Sequence, residues 1–422
     1  TLTFFGGALK SNSSSLIDGE TIFSRLLGNN LGCGLNMKIT FFIYALIISL
    51  TLQANVTNFL GLYTTLTLGQ NKQKLDLILD TTAGMSYIPI TNTSKLYIPS
   101  NSTNITKEEF TIGSGLNGNL TYDTISLDGN HSVSFSFVAV DKEVPAVLGL
   151  GYNYKHNSNH SIINNLYDSG IINKRIFALG SNEFSFGDNQ HNISSICNLT
   201  SNEGMKEEYK ESWLCDIDYL TTGRDDSINE GYEVDGRVVF DSTYEFITIP
   251  SKYMNYVKKY LHDNYANDAL CQTISNNKNE TSFICTTTNM TNFTDFYFVI
   301  DGYGYSIPGS KLFKQSSENS TNLLIEFSND DVFVLGKFFF DQYTLVFDYD
   351  NKNVGFIGKI ADIRQKIDEW ENDFGNKADR FFYIMAFATI FGSLLFIIII
   401  LLIVRAIKRS RLEEHGPLIE SA

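Results

Sequence analysis

Two aspartates stand out because their surroundings repeat. Asp80 closes the segment LDLILD, is followed by Thr81 and Thr82, and is trailed by Ile88-Pro89. Asp241 closes GRVVFD, is followed by Ser242 and Thr243, and is trailed by Ile249-Pro250. An aspartate after an apolar strand is ordinarily a turn residue, and that reading would suffice for either one alone. Two of them in matching contexts, each with a hydroxyl residue next in line, make it a poor reading for both. Carboxyls hold and release protons and hydroxyls donate hydrogen bonds, so the pattern points to proton chemistry.

The echo extends beyond the aspartates. Val147-Leu148-Gly149 follows the first, and Val334-Leu335-Gly336 follows the second, so the chain reads as two related halves. The segments around these residues are rich in β-branched and aromatic side chains and are separated by Gly, Asn, Asp and Ser: YTTLTL, KLDLILD, SVSFSFVAV, GRVVFD, FYFVI, YTLVFDY and NVGFI. Helical patterns are short, the best being Ser161 to Ser169 and Ser251 to Asn264, each opening on a serine suited to an N-cap. A mostly β domain with a few helices is expected over 55–360.

On these segments the chain resembles the pepsin-type aspartic peptidases. LDLILDTTAGMSYIP looks like the first active-site strand and loop, and VPAVLGLGYN like the segment that closes the first lobe's crossed loop. SIINNLYDSGIINKRIFALGS resembles the helix and strand after it, VVFDSTYEFITIPSKYMNYV the second active-site loop and its helix, and VFVLGKFFFDQYTLVFDYDNKNVGFI the C-terminal strands. The resemblance implies a two-lobed, pseudo-two-fold fold, with a first lobe over about 55–190 and a second over about 191–360. It further implies a cleft whose floor brings Asp80 and Asp241 together as catalytic residues. Two adjacent carboxyls share a proton, so one can take a proton from water while the other donates to the substrate carbonyl. Thr81 and Ser242 would supply the hydroxyls that bridge the two loops.

The same resemblance marks where the loops are altered. The family places glycine after that hydroxyl residue, and here Thr82 and Thr243 stand there, expected to restrict the backbone and add bulk. The next position usually offers a hydroxyl to each aspartate; here it holds Ala83 and Tyr244, whose phenol could bond inward. The flap hairpin should carry a tyrosine before glycine, and FTIGSGLNGNLTYDT places Ile112 and Gly113 there. With 25 residues between Ala54 and Asp80, no blocking prosegment is expected.

Topology follows from two apolar segments. Residues 37–54 have a short positive start, about a dozen apolar residues and a small-residue end, the pattern of a cleavable signal peptide. Residues 1–36 upstream of it read as non-native or read-through sequence. Residues 381–404 are uncharged and long enough to span a bilayer, and Arg405, Lys408, Arg409 and Arg411 place the tail 405–422 in the cytosol. Between them, 361–380 carries Ile363, Ile367, Trp370 and Phe374 at helical spacing, an amphipathic stalk that could pack on the lobe or lie on lipid. In the tail, Glu414 four residues before Leu418-Ile419 resembles an acidic dileucine signal read by sorting adaptors.

Thirteen N-x-Ser/Thr sequons between Asn55 and Asn319 and an even set of four cysteines past residue 37 suit an oxidising lumen or the cell surface. Of the three possible connectivities, the local pairs Cys197–Cys215 and Cys271–Cys285 are favoured. With no C-x-x-C or His/Cys cluster, neither metal nor cofactor is expected, and His156 and His160 read as surface residues. The formal charge of −15 argues against nucleic acid as a partner. Two readings of function remain: an active membrane-anchored endopeptidase, and a pseudopeptidase that uses the cleft to hold peptide or protein.

Overall fold

The computed structural model describes residues 62–90, 97–112, 115–127, 132–152, 160–181, 183–187, 192–224, 227–229, 231–264, 271–275, 281–286, 293–317 and 320–414. The expected signal peptide 37–54 and residues 1–36 before it, Gly113 of the expected flap, His156, and Leu418 and Ile419 of the tail lie outside the described residues.

The fold is mostly β and two-lobed. Strand Gln73–Asp80 shows why: Leu75, Leu77 and Leu79 alternate inward with Lys74 and Asp76 outward, the period of a half-buried strand. Burying a leucine of this kind contributes roughly 1.5–3 kcal/mol. Among the described residues, this strand lies in a seven-stranded first-lobe sheet between Tyr63–Leu68 and Val147–Gly149. The hairpin expected as the flap, Asn104–Ile112 and Leu116–Ser126, forms the far edge of that sheet, paired from Asn104↔Tyr122 to Ile112↔Leu116.

In the second lobe, strand Tyr232–Phe240 runs between Leu214–Arg224 and Val332–Leu335 in a larger sheet. Its last three residues, Val238, Val239 and Phe240, are all fully buried, the run expected of a strand covered on both faces.

A third sheet of five strands is shared between the halves. Ile176–Gly180 and Glu183–Phe186 come from the first, and Ser195–Asn198, Thr344–Asp348 and Asn353–Ile357 from the second. Its aromatic core includes Phe177 stacked on Phe347 at 4.6 Å and Trp213 at 5.0 Å from Phe347. The division into two lobes at about 190 therefore cuts through this sheet. Hydrophobic period identifies a strand but not its partner, and the partners here lie about 170 positions apart along the chain, as in Phe347↔Phe177.

The two expected helices are present with different caps. Ile162–Asp168 follows Ser161, whose side chain makes no capping bond. Met254–Asn264 is entered through a 3-10 turn, and Ser251 donates its hydroxyl to the Ser328 carbonyl at 2.8 Å. His160 is not a solvated residue: it is half-buried against the rings of Phe110 and Tyr122, 3.3 Å from the Ser136 hydroxyl. The disulfides join Cys197 to Cys215 and Cys271 to Cys285.

The stalk begins differently from its expected boundary. Residues 361 and 362 belong to strand Ile360–Asp362, which pairs with Tyr303–Ile307 at the sheet edge. Helix Arg364–Glu414 then runs on through the apolar stretch Phe381–Ile407, long and apolar enough to cross a membrane. Ile363, Ile367 and Trp370 pack on the second lobe against Tyr219 and Val299, and the Tyr219 hydroxyl donates to Glu371.

Candidate active site

Each aspartate sits where a strand ends against a parallel neighbour. Asp80 lies opposite Gly149, and its carbonyl accepts from the Leu150 N–H at 2.7 Å. Asp241 follows Phe240, which lies opposite Leu335, and its N–H donates to the Leu335 carbonyl at 3.1 Å. The two glycines of the repeated apolar-apolar-Gly motif are required by close approach. A Cβ on Gly149 would meet the Met85 backbone at 2.5 Å, and one on Gly336 the Phe246 carbonyl at 2.1 Å. Each aspartate loop thus crosses directly over the glycine of its own half.

Thr81 and Ser242 lock the loops together. The Thr81 hydroxyl donates to the Phe240 carbonyl at 2.6 Å and accepts the Ser242 N–H at 3.0 Å. The Ser242 hydroxyl donates to the Leu79 carbonyl at 2.6 Å and accepts the Thr81 N–H at 3.1 Å. Both side chains are buried, so these four bonds are shielded from water, and removing either hydroxyl would strand buried backbone groups.

Thr82 and Thr243 take a different part from the one their bulk suggests. Thr82 donates both its N–H, at 2.8 Å, and its hydroxyl, at 2.7 Å, to Oδ1 of Asp80, and the Ala83 N–H adds a third bond at 3.1 Å. Thr243 does the same for Oδ1 of Asp241 at 2.8 and 2.7 Å, with the Tyr244 N–H at 3.2 Å. Neither threonine has a left-handed backbone; among the described non-glycine residues, positive φ occurs at Lys72, Asp301 and Lys352. The glycine replacements therefore introduce no strain of that kind and each supplies a hydroxyl to the carboxylate.

The Tyr244 hydroxyl does not donate to Asp241. It donates to Oε2 of Glu326 at 2.5 Å, on strand Ser320–Ser328. Ile112, at the flap, packs in a cluster with Met85, Leu116, Leu120, Val138 and Val140, and Tyr87 packs against the same cluster. Burial and then the charge of Asp80 push the Tyr87 phenol up, so an aromatic ring with a polar tip stands near Asp80, on strand Tyr87–Pro89 after the loop and not on the hairpin.

The electrostatics couple the aspartates. Burial, opposed by the three donors of its own loop, raises Asp80 above the ordinary carboxylate range. Burial and then the charge of Asp80 push Asp241 up to about 6. The charge on one carboxyl thus raises the other, the coupling expected of two neighbouring carboxyls.

Three neighbours carry no obvious mark in the sequence. Glu211 accepts the Gly84 N–H at 3.0 Å. The phenol of Tyr209 is pushed up by burial, then by Glu208 and Asp330, and also by Asp241. Trp213 donates its indole N–H to the Leu150 carbonyl at 2.8 Å beneath the first loop. All three fall inside the loop closed by Cys197–Cys215, and that cysteine pairing is the one sequence feature that brackets them. Among the described residues no group of His, Cys, Asp and Glu is arranged to hold a metal ion.

Comparison with known sequences gives a matching result. The chain is similar to pepsin A of Bos taurus, 23% identical over 325 residues that cover 69% of this chain and 82% of that protein. The family described as eukaryotic aspartyl protease matches residues 61–358, a span that contains both aspartate loops, the flap and the shared sheet. With well over half of its length matched, the chain belongs to the eukaryotic aspartyl protease family.

Proposed function

We propose that this chain is a membrane-anchored aspartic endopeptidase in which Asp80 and Asp241 share one proton and activate water. The observation that carries the reading is the matched cradle: each Oδ1 accepts three bonds from its own loop, and the loops are bolted together by Thr81 and Ser242. Such a cradle fixes two carboxyls in one geometry and leaves the second oxygen of each for water and substrate. The ionised carboxyl takes a proton from water as its oxygen bonds to the scissile carbonyl carbon. The protonated carboxyl gives its proton to the carbonyl oxygen, forming a neutral gem-diol intermediate. Collapse of that intermediate, with proton transfer to the leaving nitrogen, breaks the C–N bond and yields an acid and an amine.

The pseudopeptidase reading draws on Thr82, Thr243 and Tyr244, on Ile112 in place of the flap tyrosine, and on the short span between Ala54 and Asp80. The hydroxyls of Thr82 and Thr243 donate to the aspartates while the Tyr244 phenol bonds Glu326, which favours the peptidase reading at these three positions. The disulfides and the apolar helix fit a secretory-pathway membrane protein. In this reading the domain is lumenal or extracellular, the basic cluster after the span faces the cytosol, and Glu414 with Leu418 and Ile419 engages an endosomal sorting adaptor. Replacing Leu418 and Ile419 with alanine then moves the protein to the plasma membrane.

The direct test incubates the full-length protein in detergent with a mixed peptide library from pH 3 to 7, with and without a statine-type inhibitor. Inhibitor-sensitive cleavage, absent in Asp80→Asn, is the expected result. No cleavage at any pH together with no inhibitor binding would overturn the peptidase reading.

A further inference from the structure

Glu211 is placed beside the dyad by backbone geometry. The consecutive N–H groups of Thr82 and Ala83 point at Oδ1 of Asp80, and the next one, from Gly84, points at Oε2 of Glu211. One residue step and two hydrogen bonds therefore separate the carboxylates, a span of about 10 Å at most. An extended peptide advances about 3.3 Å per residue, so a substrate side chain within about three positions of the scissile bond lies within reach.

The carboxylate is held firmly and has no ion-pair partner among the described residues. A Cβ on Gly151 would meet the Glu211 carbonyl at 2.4 Å, so the segment lies flush on the first lobe's loop. Trp213, two residues on, is anchored to Leu150, and the Cys197–Cys215 disulfide closes the segment. The nearby lysines are engaged elsewhere, Lys206 with Asp330 and Lys210 with Glu207. Among the described residues no lysine or arginine pairs with Glu211. The side chain is half-buried, where a charge is screened less than on an open surface.

Resting on the peptidase reading, we propose that Glu211 is a specificity-determining residue that selects substrates with a lysine or arginine close to the scissile bond. A preorganised carboxylate with one oxygen on a backbone N–H and no cation of its own offers the other oxygen to an incoming ammonium or guanidinium group. The purely structural alternative is that Glu211 only caps Gly84. Glutamine keeps that acceptor and loses the charge, so it separates the two roles.

The experiment uses full-length protein in detergent at pH 5.5 and statine-type peptides that differ only in lysine against norleucine, scanned over three positions on each side. At one position the lysine peptide should bind roughly 10-fold tighter, the effect of one partly shielded charge pair. Glu211→Gln should reduce that ratio to within about 2-fold, while Glu203→Gln, which removes a charge from the exposed surface of the same segment, should leave it intact. Lysine preference that survives Glu211→Gln, or that is absent at every position, overturns the proposal while the peptidase reading stands. Lysine-selective binding without any cleavage removes the peptidase reading alone. Failure of every peptide to bind removes both.

Discussion

The two aspartate loops are nearly superimposable in their bonding and unlike in their surroundings. Each presents three donors to one carboxylate oxygen, at 2.7 to 3.1 Å in the first loop and 2.7 to 3.2 Å in the second. One residue on, the loops part company. Ala83 is small and lets Gly84 reach Glu211, whereas Tyr244 sends its phenol to Glu326. The symmetric part is what two carboxyls need in order to share a proton, and the asymmetric part is free to shape what lies on either side of them.

The largest effect should come from the symmetric part. Asp80→Asn and Asp241→Asn should each lower kcat/KM by about 10³-fold or more, because proton transfer at either position is lost. A large loss in one and a small loss in the other would break the equivalence of the loops. Next come the bridging hydroxyls: Thr81→Val and Ser242→Ala should each cost about 2–4 kcal/mol, since each strands two buried backbone groups. Urea unfolding measures both, and unequal costs would show that one loop carries the other.

Stability should also depend on pH with a definite sign. Asp241 is raised to about 6 from 3.8, so between those values the folded state binds more protons than the unfolded one. Its stabilising protonation is complete at low pH and is lost as pH rises through about 6. Asp241→Asn should therefore stabilise the fold at pH 7 by on the order of 2–3 kcal/mol, with the gap closing toward pH 4. Thermal unfolding across that range reads the difference, and a constant gap would contradict it.

The two threonine hydroxyls should matter equally. Thr82→Val keeps the branched shape and removes the hydroxyl that lowers the Asp80 carboxyl, so the acid side of the activity profile should move up in pH. A loss of about 10-fold in kcat/KM is expected, the worth of one charge-assisted bond, and Thr243→Val should match it. Tyr244→Phe should change kcat/KM by less than about 3-fold, since the phenol faces Glu326 and not Asp241. A large loss there would place Tyr244 in the chemistry.

The sequence made the symmetric part readable and the asymmetric part opaque, for a physical reason. Asp80 and Asp241 each follow an alternating or continuous apolar strand and precede a short-range turn, features that local period and residue type record. Thr82 illustrates the limit: its branched side chain suggested bulk, but which way its hydroxyl turns depends on where Asp80 Oδ1 lies. Glu211 and Glu326 meet their partners across 127 and 82 residues, contacts that topology sets and no local pattern encodes. The shared five-stranded sheet was hidden for the same reason, and so was the docking of Trp370 beside Tyr219, where the ring centroids stand 5.6 Å apart.

Asp80 and Asp241 should work as one proton-sharing pair. The pH dependence of kcat/KM for a single cleaved peptide, measured for the full-length protein from pH 3 to 7.5, tests it most directly. A shared proton gives a bell whose upper limb falls near pH 6, with activity lost in both asparagine variants. A profile flat through that region, or cleavage that survives either substitution, would contradict it.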